Sequence, residues 1–220
     1  MASSHTLIFI GGDPPHPNVR RHLPADAFVI AADSGYAHAI AMCFVPNELV
    51  GDMDSITAVD LSDARDLNTL ISQFPTDKDL TDTEIAIASA IAHHSTHITV
   101  VSGGGDRFDH VLGMVHSLAS CALTVDTTLL IGTARVSYAT YTKEFRIKTQ
   151  PGNTISLIPI GGAATVTTTG LQWELANDTL QSFASRGVSN IATNESVSIS
   201  VTDGLLAVIQ PFFLNPGDIS

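Results

Sequence analysis

Three crowded groups of acids, each at a junction between segments of different character, are the residues of this chain best equipped for chemistry. The first is Gly51-Asp52-Met53-Asp54-Ser55, directly after the apolar pair Leu49-Val50. If a strand ends there, Asp52 and Asp54 stand two residues apart on one face, with Met53 turned into the core. Two carboxylates on one face repel unless a cation lies between them. An all-oxygen pair suits Mg²⁺, which keeps water and phosphate oxygens in its remaining positions. An acid-rich solvent turn is the plainer alternative.

The second group, Asp77-Lys78-Asp79-Leu80-Thr81-Asp82-Thr83-Glu84, runs into the apolar segment from Ile85 to Ile91. Thr81 with Glu84 three residues on is a capping-box pattern, so a helix is expected to start here with Asp82 in its first turn. Complementing the helix dipole accounts for Glu84. It does not account for Lys78 set among Asp77, Asp79 and Asp82, a mixture that can hold a metal and a phosphate together. The third group is Ser102-Gly103-Gly104-Gly105-Asp106-Arg107-Phe108-Asp109-His110. Glycines between a strand and a helix let main-chain N–H groups approach an anion. Neither the phosphate-loop ending nor the dinucleotide glycine spacing is present. Arg107 is a candidate phosphate fork, and Asp109 and His110 are candidate acid–base or hydrogen-bonding groups, with a helix-start histidine bonded to backbone as the alternative for His110.

Other residues carry less. His93, His94 and His97 do not have zinc-site spacing and fit a helix end. Arg20-Arg21, near Pro17, reads as a solvated pair. Cys43 and Cys121 lie far apart in apolar segments, which predicts buried thiols in a reducing compartment and not a disulfide.

The elements that must position these groups differ between the two halves. Up to about Gly132, short apolar runs (Thr6 to Ile10, Phe28 to Ala32, Ile98 to Ser102, Thr124 to Ile131) alternate with helical candidates (Tyr36 to Met42, Leu61 to Ile71, Thr83 to His93, His110 to Cys121). This alternation predicts an α/β domain over residues 1–133 with a mainly parallel sheet covered on both faces. Its ligands are expected at the carboxyl ends of the strands, beside Gly11-Gly12-Asp13 and Gly103-Gly104-Gly105. From 134 to 220, Val, Ile, Thr and Ser dominate between turn signals, and Val197, Ile199 and Val201 alternate with Ser198, Ser200 and Thr202. That half is expected to be an all-β, sandwich-like domain.

Composition limits the partners. Ten Lys and Arg against 22 Asp and Glu leave −12 over 220 residues, a field that repels nucleic acid and anionic lipid. The N-terminal stretch lacks the basic residues of a secretion signal, and Gly204 to Leu214 is shorter than the roughly 20 residues of a membrane span, so a cytoplasmic protein without membrane partners is expected.

Taken in order, Ala32-Asp33-Ser34-Gly35, Gly51-Asp52-Met53-Asp54-Ser55, Asp79-Leu80-Thr81-Asp82 and Gly105-Asp106-Arg107-Phe108-Asp109-His110 resemble the motif series of the thiamine pyrophosphokinase family. Gly170-Leu171-Gln172-Trp173-Glu174-Leu175 and Val188-Ser189-Asn190 resemble that family's thiamine-recognising β-domain segment. The resemblance implies a homodimer that transfers a pyrophosphoryl group from ATP to the hydroxyl of thiamine and releases AMP, with residues 134–220 serving thiamine binding and dimerisation. Carried over by position, Asp52, Asp54 and Asp82 would hold Mg²⁺, while Asp79, Arg107 and Asp109 would act at the phosphates and the acceptor. Asp33, Lys78, Thr81, Gly104, Gly105 and His110 would bind the nucleotide. Trp173 would stack on the thiamine rings, and Ser189 and Asn190 would hydrogen-bond the aminopyrimidine; packing in the β-domain core is the alternative for Trp173. The chain departs from the family at Ser34, where glycine is common, and at Met114, where asparagine is common. A pyrophosphokinase for another hydroxymethyl acceptor such as a pterin, and a non-catalytic nucleotide- and metal-binding module, are the other readings.

Overall fold

The computed structural model describes residues 5–105 and 107–214; Asp106 of the third motif lies outside them. In chain order the elements are β1 (His5–Phe9), β2 (Phe28–Ala32), α1 (Gly35–Ala41), β3 (Glu48–Gly51), α2 (Ala58–Asp66), β4 (Leu70–Gln73), α3 (Asp82–Ala92), β5 (His97–Ser102), α4 (Phe108–Cys121) and β6 (Asp126–Ile131). There follow β7 (Ala134–Thr140), β8 (Phe145–Lys148), β9 (Thr154–Pro159), β10 (Ala164–Thr169), β11 (Asp178–Leu180), β12 (Asn190–Ile191), β13 (Ser196–Asp203) and β14 (Leu205–Gln210). Two compact units result, one of residues up to Ser117 with Leu129–Gly132, the other of Leu118–Thr128 with residues from Thr133 on.

In the first unit the strand order is β6-β5-β1-β2-β3-β4. The pairs β1–β2, β1–β5, β2–β3 and β3–β4 are all parallel. Their runs are apolar on both faces because both faces are covered: Leu7, Ile8, Phe9, Ile30, Leu49, Val50 and Val100 are fully buried. Each such side chain contributes about 1.5–3 kcal/mol relative to an exposed one. The chain leaves β1 for β2 on one side and returns through α3 to β5 on the other, so β1 marks the point where strand order reverses. The loops after β1 and β5 therefore diverge and leave a crevice at the carboxyl ends of the strands.

Two expectations are corrected by the fold. The apolar spacing from Leu61 to Ile71 is one helix and one strand: α2 stops at Asp66, Asn68 turns with φ 59°, and Leu70 and Ile71 enter β4 beside Glu48 and Leu49 of β3. A left-handed residue ends the helix, and the ladder with β3 claims the residues after it. Cys43 is exposed and not buried, at φ 59° just past α1, whereas Cys121 is buried as expected. Arg20 is half-buried, its guanidinium 4.2 Å from the centre of the Phe44 ring.

The second unit has two antiparallel layers, β7-β14-β9-β12 and β8-β13-β10-β11. Ile155, Leu157, Leu206 and Val208 of one layer share a core with Val166, Val197, Ile199 and Val201 of the other. The period of two in β13 is what allows this: Val197, Ile199 and Val201 turn inward while Ser200 and Thr202 face solvent. Among the described residues no helix is long and apolar enough to cross a membrane.

Candidate active site

Asp33 is the first residue after β2 and adopts φ 45°, with its N–H donating to the Val50 carbonyl at 2.9 Å. The register Ala32↔Val50 between β2 and β3 sets Asp33 abreast of Gly51. Its carboxylate Oδ1 accepts the Met53 N–H at 3.1 Å, and the residue is only 8% exposed. Gly51 makes this approach feasible: at φ 143° it carries no side chain, and a Cβ there would lie 1.9 Å from Asp33 Oδ1. Gly51→Ala is therefore expected to lower stability by about 1–3 kcal/mol and to push Asp33 away from its neighbours. Thermal melting with and without Mg²⁺ checks this, since an unchanged melting temperature would mean that the close approach carries no constraint.

β3 ends at Gly51, so Asp52 and Asp54 do not alternate along a strand. They are brought together by a turn in which Asp52 Oδ1 accepts the Asp54 N–H at 3.0 Å. Met53, at φ 67°, packs as expected on the apolar cluster of Tyr36 and Leu49. Carboxylate oxygens of Asp33, Asp52 and Asp54 lie within 4.8 Å of one another. The Asp54 N–H holds the Asp52 carboxyl below its usual range, and Asp54 is raised by that same Asp52 neighbour. Burial, with Asp82 and Asp52 adding to it and the Met53 N–H opposing it, pushes Asp33 up to about 7.

Lys78 joins this group to α3, its Nζ 3.0 Å from Asp82 Oδ1 and 4.0 Å from Asp52 Oδ2. Thr81 caps α3 in the capping box expected from sequence: its Oγ1 accepts the Glu84 N–H at 3.2 Å and its own N–H donates to Glu84 Oε2 at 2.9 Å. Asp82 is thereby fixed in the first turn, facing the acids. Asp79 lies exposed in the loop before α3.

A cavity of about 690 Å³ opens beside these residues in the crevice between the β1 and β5 loops. Asp33, Thr81 and Asp82 line one part of it, and Gly104, Gly105, Arg107, Asp109 and His110 another. The two loops are tied reciprocally: Asp13 N–H donates to the Gly104 carbonyl and Gly103 N–H to the Asp13 carbonyl, each at 3.0 Å. Arg107 forks onto Asp109 with Nε–Oδ1 3.0 Å and Nη2–Oδ2 2.7 Å, an exposed bidentate pair at the mouth that holds Asp109 far below the usual carboxylate range. Met114 is buried in the lining. Ser34 also lines it, and its Oγ occupies the space a Cβ on Gly11 would fill, at 2.5 Å. Nothing in the local sequence signals this pairing of a glycine with a serine 23 residues on.

In the second unit a separate cavity of about 620 Å³ is lined by Trp173, Glu174, Arg186, Val188 and Asn190, among others. Trp173 is 57% exposed, so it is not a core aromatic. Ser189 sits at φ 61° between two lining residues, and its N–H donates to Ser156 Oγ at 3.0 Å. The Asn190 amide reaches the Trp173 main chain. Glu174 and Arg186 were not singled out by spacing, because isolated charges in a β-rich segment carry no periodic signal.

Known proteins resemble this chain in sequence and in fold. A thiamine pyrophosphokinase of Oryza sativa is 31% identical over 172 residues, 72% of this chain and 63% of the relative, so the chain spans less than two thirds of that protein's length. The thiamine pyrophosphokinase of Bacillus subtilis is 24% identical over 93% of this chain and 98% of its own. Its crystal structure superposes with a TM-score of 0.82 at 23% identity, covering 94% of this chain and 98% of the other, and the Candida albicans thiamin pyrophosphokinase gives 0.78 at 13% identity, covering 94% and 88%. At these identities the structures speak for the fold. The family model described as the thiamin pyrophosphokinase catalytic domain matches residues 19–130, and that for the family's vitamin B1 binding domain matches residues 142–206. With acids, glycine loop and β layers in place and more than half of its length matched by the catalytic-domain model alone, the chain belongs to the thiamin pyrophosphokinase family.

Proposed function

We propose that this protein transfers a pyrophosphoryl group from ATP to the hydroxyl of thiamine, forming thiamine diphosphate and AMP. The observation that carries the reading is the convergence of Asp33, Asp52, Asp54 and Asp82 beside a cavity that a glycine loop and an arginine fork close from the other side. Attack of the thiamine oxygen on the β-phosphorus forms one P–O bond and breaks the bridge to the α-phosphate, leaving AMP and a proton. The barrier is set by charge on the polyphosphate and by alignment of donor and acceptor.

The donor set fits a hard divalent cation: it is all oxygen, burial with the neighbouring Asp82 and Asp52 raises Asp33, and the Asp52 neighbour raises Asp54, so a positive charge among them would be favoured. Asp52, Asp54 and Asp82 would hold Mg²⁺, with Asp33 close enough to join them. Bound there, Mg²⁺ supplies charge neutralisation at the phosphate oxygens. Lys78 sits between Asp52 and Asp82 and offsets part of the repulsion among the acids. Arg107, oriented by Asp109, presents a planar fork to a phosphate, and the Gly104 and Gly105 main chain lets that phosphate approach closely. Thr81 and His110 complete the nucleotide's surroundings, Asp79 serves the phosphates from the loop before α3, and Trp173 and Ser189 serve the thiamine rings, with Asn190 behind Trp173 on its main chain. The reading includes a homodimer in the cytoplasm, the former testable by sedimentation.

Incubation of the purified protein with Mg-ATP and thiamine, with chromatographic separation of products, tests the reaction. AMP and thiamine diphosphate in equal amounts, both abolished by EDTA, are expected. ADP in place of AMP would move the attack to the γ-phosphorus, and product with a hydroxymethylpterin but not with thiamine would change the acceptor.

A further inference from the structure

Asn190 opens β12 and is 7% exposed. Its strand is anchored twice: Asn190 and Ile191 pair with Ile155 and Thr154 of β9, and the Gln172 N–H donates to the Ile191 carbonyl at 2.8 Å. From this fixed base the side-chain amide spans the Trp173 peptide groups. Oδ1 accepts the Trp173 N–H at 3.1 Å and Nδ2 donates to the Trp173 carbonyl at 2.7 Å, as a neighbouring strand's main chain would. Oδ1 also accepts the Ile191 N–H at 2.9 Å, so both its lone pairs are in use. On the far side Glu174 Oε1 accepts the Gly170 N–H at 2.9 Å and closes the same turn. Trp173, which this turn carries, is more than half exposed and lines the 620 Å³ cavity.

A ring in a water-exposed loop gives up conformational entropy when a flat ligand stacks on it, unless its main chain is already held. The geometry points to Asn190 as a positioning residue: its amide fixes the Trp173 main chain so that the indole is presented to a flat cationic heteroaromatic ring, and it is not itself a ligand of that ring. This rests on the reading of the second unit as the thiamine site and deepens it.

Trp173 is the chain's only tryptophan, so protein fluorescence reports on it alone. Time-resolved fluorescence anisotropy of the full-length protein without ligand, for wild type, Asn190→Ala and the isosteric Asn190→Asp, separates the indole's local motion from overall tumbling. Both variants are expected to gain nanosecond motion at pH 7.5. In Asn190→Asp the ionised carboxyl repels the Trp173 carbonyl, but once protonated its O–H can donate there while the other oxygen accepts the N–H. The added motion is therefore expected to shrink as pH falls toward the carboxyl's titration, with no such recovery in Asn190→Ala. In the thiamine assay, KM for thiamine is expected to rise about tenfold with kcat within about threefold, because ordering the ring is now part of binding.

Unchanged motion with a raised KM would overturn the proposal and make Asn190 a direct ligand. Increased motion with an unchanged KM would overturn it as well, by showing that the indole's placement is not used. If wild type forms no thiamine diphosphate while the pH-dependent recovery of Asn190→Asp is seen, the substrate reading fails and the hold of Asn190 on Trp173 stands.

Discussion

Asp52→Asn and Asp54→Asn are each expected to reduce Mg²⁺-dependent turnover by about 10³-fold, a loss of roughly 4 kcal/mol of transition-state stabilisation. Either change removes one negative charge from a cluster whose oxygens lie within 4.8 Å of one another. Neither disturbs the local turn, because an amide oxygen at position 52 still accepts the N–H of residue 54, and the N–H of residue 54 is main chain. Melting temperatures should therefore stay close to wild type while activity falls. Asp66→Asn, the same charge change at the exposed end of α2, is the control and should remain within about twofold of wild type. Initial rates across a Mg²⁺ titration decide the matter: a variant at Asp52 or Asp54 that keeps a tenth of wild-type turnover at saturating Mg²⁺ would remove that residue from the metal site.

The second large effect has the opposite sign for stability. Asp33→Asn is expected to make the metal-free protein more stable at pH 8, by on the order of 2–4 kcal/mol, while weakening its thermal response to Mg²⁺. Burial, with Asp82 and Asp52, pushes the Asp33 carboxyl up to about 7, against about 3.9 in an unfolded chain. Between those values the folded protein holds a proton that the unfolded chain has released, so stability falls as pH rises. This contribution is whole below about pH 4 and is lost once pH passes 7. An asparagine does not titrate, and its Oδ1 can still accept the Met53 N–H that Asp33 accepts. In EDTA, the difference between variant and wild-type melting temperatures should widen by several degrees from pH 5 to pH 8. A cation offsets the penalty for wild type by neutralising the ionised cluster, so added Mg²⁺ should raise the wild-type melting temperature at pH 8 by more than the variant's, which keeps Asp52, Asp54 and Asp82 but has one charge fewer to neutralise. A difference that stays constant from pH 5 to pH 8 would refute the raised Asp33. On the proposed function, Asp33 sets function against stability, as is common where charges are gathered for catalysis.

Elements buried on both faces were legible in the sequence because burial writes itself as continuous apolar runs: β2 was bounded at both ends, and β1 and β5 within a residue or two. β4 was not legible. It is an edge strand whose exposed and half-buried residues continue the spacing of α2, and only its ladder with β3 distinguishes the two. The exposure of Cys43 was missed for a related reason, since apolar neighbours in sequence do not say which side of a helix end faces water.

Residue order was enough to specify the α/β and all-β halves, the capped start of α3, the glycine loops and the ordered acidic motifs that resemble one family. These depend on periodicity and local chemistry, which a chain carries along its own length. Which groups meet was settled by the folded arrangement of the strands. Asp33 meets Asp52 and Asp54 because a parallel register sets Ala32 beside Val50, and Gly51 leaves room for the carboxylate. Ser34 fits against Gly11 because the ends of β1 and β2 are neighbours. The Asn190 amide reaches the Trp173 peptide across 17 residues because β12 and the turn after β10 fold back on each other. Contacts between residues far apart in the chain leave no local pattern, since the energy that selects them is the burial and pairing of whole strands.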